Sequence, residues 1–99
     1  MYIGLDIGTS SVKALLIDAA QQPVHAETAP LALSRPRPGW SEQDPADWLA
    51  ATDAVMAGLA RAAPEAMRVV EGIGIAGQMH GATLLGQDDR PLRPCILWN

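Results

Sequence analysis

The chain opens with a regular alternation of apolar and other positions. Apolar residues at positions 3, 5 and 7 alternate with Tyr2, Gly4 and Asp6, which is the period of a strand with two different faces. The pattern predicts a first strand that carries Asp6 on the face that Gly4 leaves open. Because strand interiors normally avoid aspartate, the carboxylate of Asp6 indicates a functional role.

The next two apolar segments predict an antiparallel continuation of this strand. A turn over residues 8–11 leads into a second strand over 12–18, which is apolar on both faces beyond Lys13. Such a strand is expected to be central and covered on both sides. Residues 24–29 predict a third strand nearer the edge. His25 has no partner at a metal-ligand spacing and is expected to be solvated.

A helix is predicted after an irregular, proline-rich segment. Asp44 is the expected N-cap, Pro45 the first helical residue, and Pro64 the residue that ends the helix. An apolar stripe at helical spacing predicts that one side of this helix packs on a sheet. The stripe consists of Trp48, Thr52, Val55, Met56, Leu59 and Ala63.

A glycine-rich apolar segment over residues 69–77 predicts the next strand. Because a helix connects it to the first hairpin, the simplest arrangement is parallel to the first strand. Its glycines predict close approach of the helix on one side and of a ligand or strand on the other. Residues 78–81 then lie at the sheet edge where ligands of open α/β sheets gather. Residues 82–92 predict a hairpin or short loop with solvated aspartates.

Composition and charge narrow the class of protein. The 99 residues carry a formal net charge of −4 and a single cysteine, which argues against a nucleic-acid binder and against an internal disulfide. No apolar run reaches the roughly 20 residues of a membrane span, and no secretory signal precedes the first strand. We therefore expect a cytoplasmic protein without nucleic-acid or membrane partners.

The turn after the first strand has the chemistry to hold a nucleotide phosphate. It offers backbone N–H groups, three hydroxyls and the ammonium of Lys13, while Asp6 can face a magnesium ion. The turn alone is ordinary, and it is neither a Walker A loop nor a Rossmann loop. The specificity of the pattern comes from the longer sequence around it.

Four segments in this order resemble the start of an FGGY-family carbohydrate kinase, within the actin-like ATPase superfamily. They are residues 6–13, 40–45, 74–81 and 96–99. The sequence Gln-Met-His-Gly, where glycerol kinases carry Gln-Arg-Glu, is most similar to the xylulokinase branch. The resemblance implies transfer of the γ-phosphate of ATP, with Mg²⁺, to a hydroxyl of D-xylulose.

The resemblance also implies a fold and a division of the protein. The expected fold is α/β, a partial ribonuclease-H-like (actin-like ATPase) domain. It comprises an antiparallel three-strand start, one crossover helix, a parallel strand and further short strands. Residues 1–99 would form the first half of the amino-terminal kinase domain, and the remainder of the enzyme, including the catalytic base and the adenosine pocket, would lie outside the chain. The chain alone is then not expected to be an active kinase.

Roles for single residues follow from the same resemblance. Asp6 would position the metal ion and the γ-phosphate. The phosphate hairpin would comprise Gly8, Thr9, Ser10, Ser11 and Lys13. The sugar would contact Gln78, Met79, His80, Trp98 and Asn99.

Three alternatives remain at this stage. The chain could be a non-catalytic module that binds phosphate or sugar or associates with itself through exposed strand edges. It could belong to another FGGY kinase, acting on ribulose or glycerol. A small ribonuclease-H-type hydrolase ranks last, because that chemistry needs several carboxylates at the metal. The resemblance leaves a homodimer open.

Overall fold

A four-stranded mixed sheet organises the molecule. The computed structural model describes residues 1–99. The elements are β1 (Tyr2–Ile7), β2 (Ser11–Ile17), β3 (Pro23–Pro30), β4 (Glu42–Gln43), α1 (Pro45–Ala62), α2 (Pro64–Met67), β5 (Gly72–Gly77) and β6 (Cys95–Ile96). The strands of the main sheet follow the order β3-β2-β1-β5, with β5 parallel to β1 and the other pairs antiparallel. The predicted α/β order is confirmed, and the four-residue α2 is an addition to it.

The core lies between α1 and one face of the sheet. Alternate residues of β1 and β2 point to the helix, which contacts β2 and β3. The buried cluster consists of Ile3, Leu5, Val12, Ala14, Leu16, Ala51, Val55 and Leu59. The Asp44 carboxylate caps α1 by accepting a hydrogen bond from the Ala46 N–H at 2.9 Å, as predicted. Neither helix has the length and hydropathy that a membrane-spanning helix needs.

The surroundings of β5 differ from the prediction. The strand begins at Gly72; of the two valines before it, Val69 lies in a turn and Val70 in the irregular link to the strand. The helix does not cover β5, because its apolar side packs on β2 and β3 instead. Ile73 and Ile75 are therefore 51% and 70% exposed. Gly74 lies on the opposite face, where a Cβ atom would meet nothing within 4 Å.

Two expectations for β2 and β3 are also corrected. Leu15 is exposed, so β2 is covered on one face only. His25 is half-buried on the helix side of β3, and its Nε2 lies 2.8 Å from Glu27 Oε1. The histidine is therefore only partly solvated, because the register of β3 opposite Leu16 turns it toward α1 while its side chain stays 39% exposed.

A second small sheet packs at the carboxyl end of β1 and β5. Strand β4 pairs with β6, and single bridges add Ser34 beside Glu42 and Ala82 beside Ile96. The predicted hairpin over 82–92 is confirmed by the bond from the Leu92 N–H to the Leu84 carbonyl at 2.9 Å. Through this small sheet, the last residues of the chain lie near the carboxyl ends of β1 and β5.

Candidate functional site

A tight turn joins β1 to β2 at the carboxyl end of the main sheet. The Gly8 N–H donates to the Ser11 carbonyl at 3.0 Å, and a Cβ atom at Gly8 would lie only 3.1 Å from that oxygen. The Ser10 carbonyl accepts a bond from the Leu31 N–H at 2.9 Å. The turn is thus tied both to itself and to the end of β3, while the Ser10 side chain stays exposed.

Opposite charges stand on the open face of the sheet below this turn. Asp6 on β1 lies directly across from Lys13 on β2, and both are exposed. They form no ion pair with each other. Together with Gly4 and Gly74 they line a shallow depression of about 470 Å³. The predicted open face beside Asp6 is therefore present, and a phosphate-sized group has room there.

The end of β5 touches the turn directly. The Gln78 N–H donates to the Ile7 carbonyl at 3.3 Å, and the Thr9 hydroxyl donates to Gln78 Oε1 at 3.0 Å. The hydroxyl turn and the 78–81 segment therefore lie at one edge of the sheet. This arrangement was predicted from the parallel pairing of β1 with β5.

The residues after Gln78 are exposed and held in an unusual backbone conformation. Met79 and His80 are exposed, and His80 has φ of 60°, a left-handed conformation that histidine adopts more readily than most residues. Gly81 follows, where a Cβ atom would lie 3.3 Å from Cys95 Sγ. The backbone is therefore closely packed on one side while the His80 ring faces outward at the surface.

The carboxyl-terminal residues join this group through the small sheet. The bridge between Ala82 and Ile96 places the segment after His80 antiparallel to the segment that carries Trp98 and Asn99. Both of these residues are exposed. The structure thus pairs the segment that follows His80 with the segment that leads to Trp98 and Asn99, while Gln78 alone contacts the hydroxyl turn.

The side chain of Gln43 was not singled out from the sequence. It is 2% exposed, and its amide bonds to the Thr9 carbonyl and to Gln78. The sequence signal for such a role is weak, because a glutamine between Glu42 and the helix cap Asp44 is typical of a solvated loop. Only the pairing of β4 with β6 reveals its burial.

Comparison with known families decides the class of the chain. The model of the FGGY family of carbohydrate kinases, N-terminal domain, matches residues 1–99. The chain belongs to the FGGY family of carbohydrate kinases. The predicted family and fold are thereby confirmed.

This FGGY chain is similar along its whole length to bacterial enzymes named xylulose kinase. It is 54% identical to the xylulose kinase of Klebsiella pneumoniae and 52% identical to that of Escherichia coli, each over 99 residues. Each match covers 100% of this chain and 20% of the relative. The chain therefore spans about one fifth of the length of these curated relatives.

Solved structures agree with the fold. A xyloylose kinase from Brucella ovis superposes with a TM-score of 0.96 and 60% identity, covering 98% of this chain and 20% of that one. A xylulose kinase from Rhodospirillum rubrum gives 0.90 and 40%, covering 95% and 19%. The mixed sheet with its single long helix is thus part of the actin-like ATPase fold of FGGY sugar kinases.

The donor set of this FGGY domain suits magnesium bound together with phosphate. No group of three or more His, Cys, Asp or Glu side chains is arranged to hold a metal ion. Mg²⁺ is usually held by one or two carboxylates with waters and substrate phosphates rather than by an all-protein cage. The single exposed carboxylate of Asp6, next to the hydroxyl turn, fits that mode of binding.

Proposed function

We propose that the chain is the amino-terminal part of an ATP-dependent kinase that converts D-xylulose to D-xylulose 5-phosphate. The observation that carries this proposal is the direct contact of Thr9 with Gln78 at 3.0 Å. It joins a turn suited to phosphate and a segment suited to a sugar at one edge of the sheet. The two xylulose kinases that are 54% and 52% identical to this chain support D-xylulose as the sugar.

In this proposal, the β1–β2 hairpin binds the phosphates of ATP. Phosphoryl transfer depends on positioning and charge neutralisation rather than on covalent help. When bound, Mg²⁺ neutralises charge on the phosphate oxygens. Asp6 would hold the metal ion directly or through water, while the Lys13 ammonium and those hydroxyls and N–H groups of residues 8–11 that do not already donate within the chain would orient the ATP phosphates.

In this proposal, the exposed residues beside that turn bind the sugar. The His80 imidazole exchanges a hydrogen bond with a sugar hydroxyl, and Trp98 offers an apolar face to the C–H side of the ketose. Gln78, Met79 and Asn99 complete the contacts. The general base and the adenosine pocket are assigned to the larger part of the relatives' length that this chain does not cover.

Cofactors and partners follow from this assignment. We propose ATP and Mg²⁺ as cofactors, a small ketose as substrate, and the remaining domains of the kinase as covalent partners. The net charge of −4 and the single cysteine support a cytoplasmic enzyme that does not bind nucleic acid.

The substrate assignment is tested with the full-length protein. ADP release is measured with ATP, Mg²⁺ and either D-xylulose, D-ribulose or glycerol. We expect the highest kcat/KM with D-xylulose, because the 78–81 segment carries Met-His rather than Arg-Glu. Turnover of glycerol without turnover of D-xylulose would contradict the assignment.

The role of His80 is tested by the variant His80→Asn in the full-length protein. Asparagine tolerates the left-handed backbone, so the fold should persist while the imidazole is lost. We expect the KM for D-xylulose to rise about fivefold to tenfold, which corresponds to the loss of about one hydrogen bond. The KM for ATP should stay unchanged. The matched control is His25→Asn on β3, and an equal rise in that variant would discard the role of His80.

A further inference from the structure

The amide of Gln43 uses all of its hydrogen-bonding capacity. Its Nε2 donates to the Thr9 carbonyl at 2.5 Å and to the Ala32 carbonyl at 3.1 Å. Its Oε1 accepts from Trp48 Nε1 at 3.0 Å and from Gln78 Nε2 at 3.5 Å. A glutamine amide has two donors and two acceptor positions. Four different segments of the chain therefore meet at one side chain.

Three of these groups form a closed ring of hydrogen bonds. Gln43 donates to the backbone carbonyl of Thr9, the Thr9 hydroxyl donates to Gln78 Oε1, and Gln78 Nε2 donates to Gln43 Oε1. Each residue is thus held by the other two. The ring fixes the backbone of the phosphate turn relative to the first residue of the 78–81 segment.

We propose that Gln43 is a positioning residue that sets the alignment of the ATP γ-phosphate with the sugar. The inference rests on the proposed function, because it assigns Thr9 to the phosphate and the segment after Gln78 to the sugar. Gln43 itself is almost fully buried and touches neither substrate. It acts by holding the two binding segments at a fixed separation, on which the rate of transfer depends.

The chemistry of the site explains why an amide is needed. A glutamate at position 43 has the same shape but no N–H donor, so its carboxylate would face the carbonyls of Thr9 and Ala32. A methionine fills a similar volume but leaves both carbonyls and the Gln78 amide without this partner. Both substitutions remove the N–H donor that closes the ring.

The kinetic experiment uses the full-length protein with Gln43→Met and Gln43→Glu. We expect kcat/KM for D-xylulose to fall on the order of 10-fold to 100-fold, mostly through kcat, because misalignment slows transfer more than it weakens binding. The matched control is Val55→Ala, which removes buried methyl groups of α1 away from the ring. This control should lower the melting temperature but leave kcat and KM unchanged at the assay temperature.

Hydrogen exchange supplies a second readout that does not depend on activity. In both Gln43 variants, peptides spanning residues 6–12 and 77–82 should exchange faster. In Val55→Ala, the exchange rates of these two peptides, compared with those of the other peptides, should be the same as in the unaltered protein. Unchanged exchange there, or a normal kcat in variants that merely melt earlier, overturns the positioning role. If the unaltered protein does not turn over D-xylulose, the proposed function fails, and the exchange pattern still decides whether Gln43 couples the two segments.

Discussion

Replacing Asp6 by asparagine in the full-length protein is expected to lower kcat about 100-fold to 1000-fold, the usual loss when a preorganised electrostatic contact to a reacting group is removed. The substitution keeps the shape of the side chain but removes the charge that we propose faces the metal ion and the γ-phosphate. The side chain of Asp6 is exposed and makes no hydrogen bond or ion pair within the chain. The melting temperature should therefore stay the same. Steady-state ADP release at saturating D-xylulose measures the effect.

A matched control separates a local role of Asp6 from a general effect of charge. Asp53 is also an exposed aspartate, but it lies on α1. Asp53→Asn changes the net charge by the same amount and should leave kcat unaltered. A normal kcat in Asp6→Asn, or a similar loss in both variants, would contradict the placement of Asp6 at the phosphate.

Replacing Leu59 by alanine is expected to destabilise the domain by about 3 kcal/mol, as for other buried leucines whose removal leaves a cavity. Leu59 is 0% exposed and packs in the cluster between α1 and the main sheet. Chemical unfolding of the full-length protein, followed by hydrogen exchange in peptides of α1 and β2, measures the loss. The lower free energy of unfolding should also appear as faster hydrogen exchange of the backbone amides in α1 and β2.

Leu49 provides the matched control on the same helix. It is 71% exposed, so Leu49→Ala removes the same atoms without creating a cavity. Its effect should stay within about 0.5 kcal/mol, as for most surface substitutions. Equal losses in the two variants would show that helix propensity, rather than burial against the sheet, controls the stability.

The local features of the fold could be predicted because short-range chemistry determines them. The alternation over residues 2–7 specifies a strand with Asp6 on one face, and Asp44 with Pro45 specifies a helix start. The parallel placement of β5 followed from the length of the connection. The meeting of the phosphate turn with the 78–81 segment could be predicted for the same reason.

The remaining features depend on contacts between distant segments. The exposure of Ile73 and Ile75 depends on where α1 lies. The apolar stripe of the helix predicts that α1 packs on a sheet, but it does not predict which strands α1 covers. The partner of His25 depends on the register of β3. The burial of Gln43 requires a pairing with β6, more than 50 positions later. No local pattern carries that information, so the ring around Thr9 was not foreseen.

The contact between Thr9 and Gln78 spans 69 positions of the chain, and this distance has a consequence for the order of assembly. The meander of β1, β2 and β3 needs only short loops, whereas β5 must close a much longer one, and such closures are slow. We expect a nascent chain to form its β1–β2 hairpin first and to bring the 78–81 segment beside it only when β5 docks. Under the proposed function, the two segments of the site would therefore meet only after β5 has emerged from the ribosome, later than the β1–β2 hairpin forms.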